Sequence, residues 1–186
     1  MEATETLMQE HRVIERVLAA LNQASGALES GKDVRPGFFG DAADFISGFA
    51  DGCHHKKEEG VLFKSLIDHG MPAYGGPIAV MLAEHEQGRA YTRGMRAAAA
   101  ALAAGDQSAK AKLLANARGY TALLAQHIAK EDQVLFPMAG RVIPPADQPA
   151  VTDGFEHVEH EETGEGIHEK YLALAQSLEA EAAGLA

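Results

Sequence analysis

Tryptophan is absent from the 186 residues, phenylalanine and tyrosine are sparse, and cysteine occurs once, as Cys53. A single thiol excludes an intrachain disulfide, a cysteine-based zinc finger and a cysteine-ligated iron–sulfur motif. Few aromatics beside abundant alanine, leucine, glutamate and lysine favour helices over sheet. No apolar run approaches the roughly 20 residues that a membrane span needs. The opening Met1-Glu2-Ala3-Thr4-Glu5 lacks the basic-then-apolar pattern of a signal peptide. Positive charge is also scarce. The formal net charge of -11 argues against nucleic acid or an anionic membrane as a partner. The expectation is a cytoplasmic helical protein with enough chain for a substantial core.

Apolar residues recurring at three and four positions predict long helices over 3–30, 36–69, 76–104 and 107–139. Ser30-Gly31, Gly70-Met71-Pro72 and Gly105 separate them. Pro36 suits an early helical position, Asp106 suits an N-cap, and Pro137 is expected to kink or finish the fourth helix. Residues 141–148 read as a proline-rich loop without a helix. Residues 148–182 read as a further helix, broken or bent at Gly164 and Gly166. The predicted fold class is all-α: an antiparallel up-down four-helix bundle over 1–145, with an additional C-terminal helical extension, 146–186, packed on its outside.

The chemistry concentrates in a repeated stretch. Cys53-His54-His55-Lys56-Lys57-Glu58-Glu59 runs into Val61-Leu62-Phe63, and His127-Ile128-Ala129-Lys130-Glu131-Asp132 runs into Val134-Leu135-Phe136. Each copy holds His-x-x-x-Glu, and residues four apart share one helix face, so an imidazole and a carboxylate point to one spot. The first and third helices carry His11 and His85 in their apolar stripes, each preceded by an acid, Glu10 or Glu84. Antiparallel helices bring His11, His54, Glu58, His85, His127 and Glu131 within one to two turns of one level. Any one of these histidines alone reads as an ordinary hydrogen-bonded core residue. Coincidence of level decides otherwise, because buried Glu58 and Glu131 need a cation. Histidine and carboxylate supplied by four helices is the donor set with which bundles hold a pair of iron or manganese ions.

The chain resembles hemerythrin-like proteins of the HHE cation-binding type over about residues 5–140. The resemblance is carried by His11, His54-x-x-x-Glu58, His85 and His127-x-x-x-Glu131, each carboxylate being followed by Leu-Phe. It implies a four-helix bundle with a non-haem di-iron centre, oxo- or hydroxo-bridged, with iron preferred over manganese or zinc. His11, His54, His85 and His127 would be terminal ligands, and Glu58 and Glu131 the bridges. Oxygen-carrying members have a second histidine one turn from the third-helix histidine; Met81 and Arg89 stand at those positions here, so that ligand is missing. His55 competes with His54, Glu59 with Glu58, and Asp132 with Glu131. His157, His160, His168 and Glu15 read as solvated.

With six donors for two ions, exchangeable positions should remain, open to dioxygen, peroxide or nitric oxide. The expected function is redox turnover of such ligands, such as peroxide disproportionation or nitric oxide handling, with an electron donor unidentified. The alternatives are a non-catalytic oxygen or iron sensor, a zinc-stapled bundle, and iron-centre repair. Members of the repair family usually carry an N-terminal cysteine-bearing segment that has no counterpart here. Tyr120, two turns before His127, reads as core or as a redox neighbour.

Overall fold

In the computed structural model, residues 1–35, 37–164 and 166–185 are described, so the expectation for Pro36 lies outside the described residues. Among them the chain is all helix, with no strand. Helix α1 is Glu2–Glu29. Helix α2 covers 38–68: α-helical Phe38–Phe45, wider π-type turns over Ile46–His55 and Glu58–Leu62, and α-helical Phe63–Asp68. Helix α3 is Pro77–Ala103. Helix α4 covers 109–142, with Ala109–Lys130, a π-type turn over Glu131–Leu135, and Phe136–Val142. Pro137 therefore does not end this helix. It sits just after the π segment within the continuing helix, which tolerates the one backbone hydrogen bond that its ring removes. Asp106 sits two residues ahead of the Ser108 cap position, and its Oδ1 accepts hydrogen bonds from the Ser108 amide and hydroxyl.

The tail forms α5 over 148–163 and α6, Ile167–Ala183. The break falls at Gly164 and Gly166, whose φ values of 102° and 77° favour glycine. Helix α6 lies along α1 and α2, while α3 and α4 pack intimately on each other and α4 also meets α1. Two close approaches fix the tail. A Cβ on Gly48 would stand 1.9 Å from the Tyr171 ring, and one on Gly154 would stand 2.7 Å from Val61.

Apolar burial divides into two clusters. One gathers Ile14, Leu21, Phe38, Phe45, Phe49, Met95 and Leu113 with the inner face of α6. The other gathers Leu7, Leu62, Phe63, Leu66, Ile78, Leu135, Phe136 and Phe155 at the opposite end. Leu-Phe after each carboxylate thus builds the second cluster, and a buried polar layer separates the two.

Candidate metal centre

That polar layer contains all six residues expected from the sequence. His11, His54, Glu58, His85, His127 and Glu131 are buried there, together with His55. They form two quartets that share Glu58: His11, His54, Glu58 and Glu131 in one, His55, Glu58, His85 and His127 in the other. Within each quartet one donor atom per residue lies within 4.8 Å of the others. Glu58 spans the two, with Oε1 3.5 Å from His54 Nε2 and Oε2 3.4 Å from His85 Nε2. Glu131 does the same from the other side, its Oε2 3.2 Å from both His11 Nε2 and His127 Nε2.

His55 is the residue that helical spacing concealed. Adjacent residues on an α-helix diverge by about 100°, so His54 and His55 should not share a face. The π-type turn ending at His55 widens the helix and buries both rings. His55 stacks on His85 with centroids 3.9 Å apart. The histidine missing from α3 is thus matched by one from α2.

The acids beside the inward residues have a separate task. Glu10 of α1 holds His54 of α2 (Oε2 to Nδ1 2.9 Å), and Glu59 of α2 holds His85 of α3 (2.7 Å). Glu84 of α3 holds His127 of α4 (3.0 Å), and Asp132 of α4 holds His11 of α1 (2.7 Å). Each helix therefore orients the imidazole of the next, and the ring closes. Every one of these contacts is at Nδ1, which leaves Nε2 directed to the centre, the arrangement that fixes tautomer and raises the basicity of a metal-binding histidine. His55 stands outside the ring, with only Asp51 of its own helix at 3.4 Å. Glu59 and Asp132, weighed as rival ligands, instead face Nδ1 of His85 and of His11. Doubled polar letters at 10–11, 58–59, 84–85 and 131–132 were the available signal.

The outer acids are themselves anchored. Lys57 is fully buried, its Nζ 2.6 Å from both Glu10 and Glu159. Arg12 pairs with Asp132, Lys130 with Glu84, and Arg89 with Glu59 and Asp51. Burial alone would raise the Glu10 carboxyl, but hydrogen bonds and charge from His54 and Lys57 outweigh it and bring it down to about 2. Burial pushes His54 down to about 4 against the pull of Glu10. His55 falls well below its ordinary value through burial and then through the neighbouring imidazoles. Glu58 is driven well above the carboxylate range by burial and then by the Glu131 charge. In Glu131 the burial penalty is outweighed by His11 and His127, and its carboxyl is lowered.

Both oxygens of Glu58 and of Glu131, with Nε2 of His11 and His54, are buried without a hydrogen-bond partner among the described residues. Unsatisfied buried carboxylates are costly. Five imidazoles and two carboxylates converging on those atoms fit a pair of divalent or trivalent first-row cations. Glu15 pairs with Arg12 at the surface, and His157 and His160 are exposed. His168 is half-buried against Phe49 and Glu159 and falls in a third cluster, with Glu10, Cys53 and Glu159, rather than in either quartet.

Comparison with known proteins places the chain. The model of the hemerythrin HHE cation binding domain matches residues 2–139, and the chain belongs to that family. It is similar to an uncharacterized protein of Mycobacterium bovis and to one of Mycobacterium tuberculosis. Each is 29% identical over 163 residues, covering 88% of this chain and 63% of the relative. The chain thus spans less than two thirds of the length of these curated relatives. No solved structure matches it.

Proposed function

We propose that this hemerythrin-family chain holds two iron ions and uses them to bind and convert small oxidants or diatomics: peroxide, nitric oxide or dioxygen. His11, His54 and Glu131 would hold one ion, and His55, His85 and His127 the other. Glu58 would serve both, with Glu131 also reaching the second. The observation that carries this reading is the pair of quartets sharing Glu58, with each Nδ1 backed by an acid. Bound iron supplies exchangeable coordination positions and a change of oxidation state. The protein's part is to keep Nε2 lone pairs aimed inward, to exclude bulk water with two apolar clusters, and to release the Glu58 proton as cations arrive. No described helix is long and apolar enough to cross a membrane, and cytoplasmic residence belongs to this reading.

The fifth histidine removes one argument for turnover, since donors are not one short of the oxygen carriers after all. It favours a second reading, reversible dioxygen binding or sensing. Elemental analysis of the chain purified without added metal tests the centre: close to two irons per chain is expected, and one zinc or none after anaerobic iron loading overturns it. Peroxide and nitric oxide consumption by the loaded chain then separates the readings. Turnover supports the first, while a saturable, reversible optical change with dioxygen and no turnover supports the second.

A further inference from the structure

His55 and His85 stack on each other at the inner wall of a cavity of about 130 Å³ between α2 and α3. A void offers no partner atoms on its side, so the aim of both rings falls to the contacts at Nδ1. The acids that face those nitrogens are Asp51 for His55, at 3.4 Å, and Glu59 for His85, at 2.7 Å. Both acids stand on α2, two turns apart, and both are half-buried. A carboxylate in that setting turns about its own side-chain bonds unless something holds it.

One guanidinium holds both. Arg89 of α3 donates from Nε to Asp51 Oδ1 and from a terminal nitrogen to Glu59 Oε1, each at 2.7 Å. These are the same two oxygens that the imidazoles face. Each oxygen thus meets one guanidinium nitrogen and one ring nitrogen. A rigid planar fork suits the task, because its donors keep a fixed spacing. The remaining terminal nitrogen donates to Glu86 on the preceding turn of α3, at 2.6 Å, and steadies the fork. Arg89 also occupies one of the α3 positions at which a second histidine is missing. One of the acids it holds stands behind His55, the ring that α2 supplies instead. A neighbouring staple makes the contrast. Arg96, two turns further along α3, joins it to α2 through Asp44, Ser47 and the Ala43 carbonyl, and none of these faces an imidazole.

We propose that Arg89 is a positioning residue of the second quartet: its fork sets Asp51 and Glu59 together, and through them aims His55 and His85 at one ion. The inference rests on the metal reading above, and its test keeps the two apart. Iron-loaded full-length chain is exposed to a competing chelator, and the imidazole nitrogens are followed by NMR in the metal-free chain. In Arg89→Gln one iron should be held about 10–100-fold more weakly, the cost of a lost outer partner, and the other as before. Arg89→Lys should recover only part of this, since an ammonium is a single point and cannot span both acids. In a chain already carrying Asp51→Asn and Glu59→Gln, Arg89→Gln should add little, because the relay is already broken. Arg96→Gln, which removes a staple between the same two helices, should leave both irons as they were. Without metal and near neutral pH, His55 and His85 should carry their proton on Nδ1 in the parent. Arg89→Gln should mix the tautomers of these two rings and leave the other three. Unchanged iron retention and unchanged ring signals in Arg89→Gln overturn the clamp and leave the metal reading intact. Equal iron loss in Arg89→Gln and Arg96→Gln also overturns it, because stapling of the helices would then be enough. A parent that takes up no iron overturns the metal reading, and the ring signals then decide the clamp: a change at His55 and His85 upholds it, and none overturns it.

Discussion

The two quartets share Glu58 yet live in different surroundings. Around His11 and His54 everything is closed. The His11 ring stacks on Phe136 with centroids 5.4 Å apart, and the acids Asp132 and Glu10 are tied to Arg12 and buried Lys57. Around His55 and His85 the packing opens into a cavity, and His55 has the longest Nδ1–acid contact of the five, 3.4 Å to Asp51. On the proposed reading, one half of the centre would keep what it holds and the other would exchange. Rigidity and access are thus separated within a few ångströms, by giving each position a different share of oriented imidazoles and empty space.

Removing what the halves have in common should have the largest effect. Glu58→Ala takes a donor from both quartets, and metal content should fall from near two per chain to near zero. His55→Ala separates them: the closed ring is untouched, so elemental analysis should find about one ion left. Loss of both would mean that the halves form only together. Next come the supports. Asp132→Asn, in the ring, should weaken metal affinity about 10–100-fold by competition with a chelator, the usual cost of losing such a partner. Asp51→Asn, outside it, should weaken affinity less. Equal losses would remove the distinction between ring and outlier.

Acid should act through both halves of the metal-free chain. His54 has its folded pKa depressed to about 4 from an unfolded value near 6.5, so the unfolded chain binds more protons in that window. The stability contribution is complete above about 6.5 and lost as pH falls towards about 4. His55, lowered further, adds to the same trend. Glu58 and His11, both raised in the fold, oppose this trend, so the fall in melting temperature of metal-free protein across this range should steepen in Glu58→Gln and lessen in His54→Gln. The smallest effect belongs to Gly88→Ala on the cavity wall. The new methyl would meet the Tyr120 ring at 3.6 Å, ordinary contact, and a helical glycine is replaced. Stability should rise by about 0.5–1 kcal/mol, and metal content should stay level.

Most of the layout was legible from spacing. His-x-x-x-Glu on α2 and α4, with His11 and His85 at matching depth, places six donors, because α-helical periodicity carries face and level together. His55 was hidden for the same reason: periodicity assigns neighbours to different faces, and a π-type turn that overrides this has no pattern of apolar residues to announce it. The ring acids were visible as letters but not as partners. Glu10 precedes His11 in sequence yet serves His54, a relation between helices that a single helix cannot display. Gly164 and Gly166 did mark the break in the tail, since φ near 100° and 77° is a local demand that glycine meets.

Lys57 links that tail to the chemistry. Its ammonium joins Glu10, which orients His54, to Glu159, which lies twenty positions past the end of the family match at residue 139. The matched domain and its mechanical support therefore have different borders in this molecule. The bundle relies on a stretch of chain beyond that match as an internal counter-ion partner. Cutting at residue 147 would leave the ligand list whole while stranding a buried ammonium on a single carboxylate. A helix at the edge is thus part of the foundation, and exchanging it for another would change the setting of an inner imidazole.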